Sequence, residues 1–198
     1  MGRKSKADER KYEILVQFYE VVKDEGFENA SIAKIAERMH VNPSLLIHYF
    51  KTKEEMVVDL VDFLLVRYEE AYLEKFENIK DPKLRFEMTL NFILGEDWIQ
   101  MADYHTVFYA CYYLASRHER INDRFRQMYK QYREMLESEA KVWFEKGLIT
   151  NSEPTQVAEY LIMLNEGITF YEGILQNRES FLKRSKWLRE MTIKTLTT

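Results

Sequence analysis

Apolar and polar positions alternate along most of this chain with the period of a helix. From Asp8 to Glu25, Ile14, Leu15, Phe18, Val21 and Val22 recur at three- and four-residue spacing, which places them on one face of a first helix. Gly26 follows as a natural C-cap, since glycine adopts positive φ at no steric cost, and Phe27 can fold back across that turn. Ile32, Ile35 and Ala36 share a face of a second, short helix, with Ser31 positioned to cap it. His40, Val41 and Asn42 break the pattern. Asn42 is then a good N-cap, and Pro43 occupies the first helical position, where a missing N–H costs nothing. Leu46 and Phe50, four apart, turn inward, so that Ile32, Ile35, Val41, Leu46 and Phe50 can close a small core between two crossing helices. This is the pattern of a helix-turn-helix, whose second helix lies in the DNA major groove.

Further along, Thr52 and Glu55 have the spacing of a capping box. The apolar pattern Met56, Val57, Leu60, Val61, Leu64, Leu65 and Tyr68 then predicts a long helix to about Phe76. Asp81 and Pro82 start another, which runs to a joint at Gly95 and Glu96. Trp98 to Ala115 is the most aromatic stretch and is apolar on several sides, as expected of a helix central to its domain. A charged helix spans His118 to Lys146 and stops at Gly147. Val157 to Tyr171 and Phe181 to Thr195 supply the last two apolar helices, with Gly173 read as lying between them.

Composition narrows the function. Six glycines and three prolines in 198 residues favour long helices over strands and turns. Cys111 is the single cysteine, so no intrachain disulfide or cysteine-type metal site can form, and between Ala110 and Tyr112 it reads as an inert buried thiol. No run reaches membrane length, and the polar, charged N-terminus is unlike a signal peptide; a cytoplasmic location is expected, with no membrane partner. The net charge of −4 weighs against nucleic-acid binding, but its distribution softens the objection. Residues 1–55 balance ten basic against ten acidic side chains, residues 1–11 carry a net of +3, and the acidic excess belongs to the remainder. Residues 1–7 read as disordered when free, and Lys4 and Lys6 make them either an arm for phosphates or a minor groove, or a solubilising tail.

The ordered set of motifs resembles the TetR family of bacterial transcriptional regulators. The matching residues are Gly26-Phe27, Ser31-Ile32, Ile35-Ala36, Val41-Asn42, Leu46 with Tyr49-Phe50, and Lys53-Glu54, over roughly residues 10–56. The chain departs from the family where His40 replaces the usual glycine and where Ile47 replaces an aromatic residue, usually a backbone-contacting tyrosine. Ala30 stands where a phosphate-binding threonine is frequent. The resemblance implies an all-α fold: a three-helix helix-turn-helix DNA-binding head over residues 1–52, then a larger helical effector-binding and dimerisation domain over 53–198. It also implies a homodimer built on the two C-terminal helices, a palindromic double-stranded DNA operator and release of a repressor by a small-molecule effector.

The candidate DNA surface comprises Lys4, Lys6, Ser31, Asn42, Ser44, Leu45, Ile47, His48, Tyr49, Lys51 and Lys53. Asn42, Ser44, Leu45 and His48 lie away from the Leu46–Phe50 face and are candidates for base contact; Tyr49, Lys51 and Lys53 are candidates for phosphate. Leu45 needs an apolar partner, which a thymine methyl or the first helix would provide. The candidate effector pocket comprises Trp98, Tyr104, His105, Phe108, Tyr109, Tyr112, Tyr113, Met163 and Phe170, whose hydroxyls and rings suit a mainly apolar or aromatic ligand. Plain core packing with hydroxyls near the surface is the competing reading. No cofactor, metal site or catalytic residue is expected: His40, His48, His105 and His118 lack metal-ligand spacing, and neither a phosphate-cradling glycine loop nor a nucleophile elbow occurs. A non-specific architectural DNA binder and a small helical enzyme are the alternatives.

Overall fold

The structure, a computed structural model, describes residues 5–95 and 102–197, with the backbone alone at 102–104. Among these residues the chain forms α1 (Lys6–Glu25), α2 (Ile32–Arg38), α3 (Pro43–Tyr49), α4 (Lys53–Phe76), α5 (Pro82–Leu94), α6 (Ala102–Ala115), α7 (Glu119–Glu145), α8 (Pro154–Leu175) and α9 (Arg178–Thr197). The contacts group into two compact units, Met1–Glu70 with Asp103–Met128, and Ala71–Ala102 with Tyr129–Thr198. The division falls inside α4, not at its start, because the first half of α4 packs with the helices that precede it.

In the first unit, Ile14, Phe18, Val21 and Val22 of α1 are buried with Ile35 and Ala36 of α2, Leu46 of α3, and Met56, Leu60 and Leu64 of α4. Ile32 and Val41 are half-buried at the rim of this core. Ile35→Ala would leave a cavity costing about 2–5 kcal/mol, a large share of a domain's stability. The helix starts follow the side-chain chemistry. Ser5 begins α1 earlier than the apolar pattern suggests: its hydroxyl accepts the Asp8 N–H at 3.2 Å and the Asp8 carboxylate accepts the Ser5 N–H at 3.2 Å. Lys6 is therefore helical, and Lys4 lies outside the described residues. Thr52 accepts the Glu55 N–H at 3.1 Å, while the Glu55 carboxylate reaches past it to the Lys51 N–H at 2.9 Å.

In the second unit, α5 packs with α8 and α9. Buried polar groups fix the register. Asn165 donates to the Ile93 carbonyl at 2.6 Å, Ser185 donates to the Leu94 carbonyl, and Glu172, buried on α8, accepts from Arg184 of α9 at 2.6 Å. Arg85 makes a two-point bridge to Glu139 of α7, at 2.7 and 2.5 Å, and also donates to the Phe76 carbonyl at 2.7 Å at the end of α4. The Phe86 ring meets Trp143 edge-on at 4.9 Å. Gly173 is not a boundary. It sits inside α8, whose end is instead set by Gln176 in the left-handed conformation (φ +48°).

Candidate nucleic-acid interface

The interface is built around the α2–α3 turn. Helix α2 ends in a Schellman motif: the His40 N–H donates to the Glu37 carbonyl at 3.0 Å and the Val41 N–H to the Ala36 carbonyl at 2.9 Å, with His40 at φ +56°. The residue that stands where glycine is usual thus adopts the glycine conformation. Asn42 then caps α3 by accepting the Ser44 N–H at 2.9 Å, and Pro43 leads the helix. Leu46 and Phe50 are buried, which turns Asn42, Ser44, Ile47 and His48 outward; all four are exposed, Ile47 by 52%. Leu45 and Tyr49 are half-buried, and the His48 and Tyr49 rings meet edge-on at 5.3 Å. One face of α3 therefore offers an amide, a hydroxyl, an imidazole and an aliphatic side chain side by side. Those are groups able to meet base edges and a thymine methyl.

Of the remaining candidates, Lys6 and Lys51 are exposed, and Ser31 is exposed with its hydroxyl accepting the Lys34 N–H at 3.2 Å. Lys53 is half-buried and its ammonium donates to the Phe27 carbonyl at 2.6 Å. Burial holds this ammonium below the ordinary lysine pKa, opposed by the Glu28 carboxylate. Sequence reasoning missed Lys11, which pairs with Asp59 of α4 at 2.5 Å and lies over the Phe50 ring at 5.0 Å, and so ties α1 to α4 at the end of α3. Its partner is 48 residues away, beyond any local pattern.

Residues 14–60 match the sequence pattern of the bacterial regulatory proteins of the tetR family, and residues 81–198 match the tetracyclin repressor-like C-terminal domain. The chain belongs to the TetR family. Solved structures share its fold. A TetR transcription regulator from Haloarcula marismortui superposes with a TM-score of 0.84 at 20% identity, covering 96% of this chain and 98% of that one. One from Cytophaga hutchinsonii gives 0.81 at 14% identity, covering 98% of each. A regulator from Saccharomonospora viridis, crystallised with choline, gives 0.79 at 14% identity, covering 94% and 96%. No curated protein sequence matches the chain. Family membership makes it a DNA-binding transcriptional regulator and not an enzyme. No described helix is long and apolar enough to cross a membrane, and among the described residues no three His, Cys, Asp or Glu side chains are grouped to hold a metal ion.

The residues expected to line a TetR-family effector pocket separate in the structure. Trp98 lies outside the described residues, as does the side chain of Tyr104. On α6, Phe108 is buried and His105 and Tyr109 are half-buried, with Phe108 edge-on to Phe125 of α7 at 5.3 Å. Burial alone pushes the His105 imidazole down to about 4 and the Cys111 thiol up to about 12. Tyr112 and Tyr113, by contrast, are exposed, Tyr113 by 60%. Among the described side chains of α6, one face is buried and the face that carries Tyr112 and Tyr113 is exposed. Met163 and Phe170 are also exposed, by 70% and 61%, on the outer face of α8, opposite its buried Val157, Leu161, Asn165 and Ile168. An apolar residue on an all-apolar helix can face a core or a partner, and spacing does not distinguish the two. Glu166, half-buried on α8, has its carboxyl raised by burial, against a hydrogen bond from Tyr129 that lowers it. A cavity of about 510 Å³ does occur in the first unit, and of the expected lining among the described residues Tyr113 borders it, with Phe27, Lys53 and Ala110.

Proposed function

We propose that the chain is a homodimeric, sequence-specific repressor, released from a palindromic operator by a mainly apolar or aromatic small molecule. The observation that carries this reading is the outward face of α3, where Asn42, Ser44, Ile47 and His48 stand exposed over a buried Leu46–Phe50 anchor. One short helix makes few contacts, so affinity and specificity need a second head placed by two-fold symmetry. The α8 surface supports that dimer. Met163, Gly167, Phe170 and Ile174 follow one another at helical spacing and are all exposed, and an added Cβ at Gly167 would meet no atom of its own chain within 4 Å. Glycine in an exposed helix interior costs about 1 kcal/mol relative to alanine, a cost that close approach of a second helix would offset. Tyr171 and Leu175 of α8 and Leu182, Trp187 and Met191 of α9 are further exposed apolar side chains.

Release is a population shift: an effector that binds one arrangement of the dimer better than the other draws the protein toward it. The helix α4, unbroken from Lys53 to Phe76, is the element that carries the change. The regulator crystallised with choline, of the same fold, supports a small-molecule ligand as the class of signal. The test is retention of DNA fragments from upstream of the protein's own gene at about 0.1 M salt with excess competitor DNA. Tight binding to one fragment, lost in His48→Ala with Ser44→Ala and reversed by an apolar ligand, is expected. Equal, weak binding to every fragment, abolished by modest salt, would point to a non-specific architectural binder instead.

A further inference from the structure

Two lysines flank the loop between α3 and α4, and their surroundings differ. Lys51 has an exposed side chain. Lys53, the first residue of α4, has its ammonium 2.6 Å from the Phe27 carbonyl and 3.9 Å from the centre of the Phe27 ring. The same carbonyl accepts the Ala30 N–H at 3.2 Å and so closes the α1–α2 turn. The Phe27 ring in turn lies against Phe18, at 6.3 Å, and Phe18 is fully buried in the core of the head. The next residue, Glu54, has its carboxylate 3.7 Å from His118 at the α6–α7 corner. Neighbouring side chains thus tie the first turn of α4 to the α1–α2 turn and to that corner.

We infer that Lys53 is a positioning residue for DNA binding, a strut that fixes the α1–α2 turn to the start of α4, and that it makes no phosphate contact, leaving that role on this loop to Lys51. The inference deepens the DNA-binding reading above and rests on it only for its effect on affinity. A cation that spends one donor on a main-chain carbonyl and seats itself on an aromatic face has left water for protein partners on two sides. Moving it to a phosphate would break its hydrogen bond to the Phe27 carbonyl and uncover the Phe27 ring. Its contribution is therefore to the orientation of the head, and a phosphate contact and a strut differ in a measurable way. Each phosphate neutralised adds about 0.9 to the slope of log affinity against log salt, whereas a strut adds nothing to it.

Two measurements on the full chain test this. The first needs no DNA, so it stands even where the repressor reading fails. With ¹⁵N-lysine labelling, the Lys53 side-chain protons are expected to carry ring-current shifts that vanish in Phe27→Leu. Lys53 side-chain resonances without ring-current shifts, unchanged in Phe27→Leu, overturn the inference. The second is DNA affinity over a salt series. Lys53→Met and Phe27→Leu are each expected to weaken binding by roughly tenfold, to combine non-additively, and to leave the salt slope unchanged, while Lys51→Met flattens it. A slope reduced by about two per dimer in Lys53→Met, or full affinity in Phe27→Leu, overturns it. Phe27→Leu, which keeps the lysine, carries this arm should Lys53→Met fail to fold.

Discussion

Phe170→Glu is the sharpest perturbation of the proposed dimer. Phe170 is 61% exposed on α8, and a phenylalanine side chain of about 200 Å² would then bring about 120 Å² to a partner. At about 25 cal/mol per Å² that is roughly 3 kcal/mol per protomer and 6 kcal/mol for a symmetric pair. Interfaces return less than their area suggests, because side-chain ordering and polar desolvation oppose association. Taking half, about 3 kcal/mol, the dimer constant should weaken by at least a hundredfold. The introduced carboxylates add repulsion, since residues near a two-fold axis face their own copies. Sedimentation velocity over a concentration series reads the result directly, with DNA affinity falling in parallel. Leu84→Glu is the control. Leu84 is also exposed but lies on α5 and off the α8 stripe, so it should leave the dimer constant within about twofold. A Phe170→Glu protein that dimerises as tightly as wild type would refute the assignment of this face.

Three further outcomes are expected. Arg85→Met strands the Glu139 carboxylate, which is 12% exposed; a cost of about 3 kcal/mol, or a fall of about 6–12 °C in the thermal midpoint, is expected, with most of it recovered in the Arg85→Met, Glu139→Met double variant. Additive losses in that cycle would show that the two side chains are not coupled. His40→Gly relieves the left-handed backbone at φ +56° and should stabilise by about 0.5–1 kcal/mol; a destabilised variant would mean the imidazole makes contacts that outweigh the strain. His105 sets a pH dependence. Its folded pKa of about 4 lies below the unfolded value, so the unfolded state takes up the proton first on acidification. Stability is complete above about pH 6.5 and falls as pH drops toward 4, by on the order of 2–3 kcal/mol. His105→Gln should lose less than wild type across that window in chemical denaturation, and parallel curves would contradict it.

The local chemistry of the head is legible in its residues. Ser31, Asn42 and Pro43 act at helix starts because their side chains and backbone are specialised for that place, and Gly26 ends α1 at φ +82° as its lack of a Cβ suggests. The Ser5 start escapes the pattern because its N3 partner is Asp8, not the glutamate or glutamine of the usual box. Gly173 misleads because glycine marks helix ends only when the backbone requires positive φ, and inside α8 it does not. What periodicity does not separate is the kind of burial. Phe108 and Phe170 both sit on apolar helices, yet one is buried in its own chain and the other faces outward. Lys53 and Lys51 occupy equivalent-looking places for phosphate ligands; only three-dimensional contact distinguishes a cation seated on Phe27 from one in solvent.

The central claim is that a symmetric pair of α3 helices reads a specific sequence. Selection of the purified full-length protein against a random-sequence duplex library, followed by sequencing of the retained pool, tests it without assuming which gene is regulated. An enriched, palindromic motif is expected, with half-site centres one helical turn apart, about 10–10.5 base pairs, or a whole multiple of that. The motif should blur at defined positions in the Ser44→Ala, His48→Ala protein and disappear in Phe170→Glu. A pool that stays random, or a motif without two-fold symmetry that survives Phe170→Glu, would contradict it.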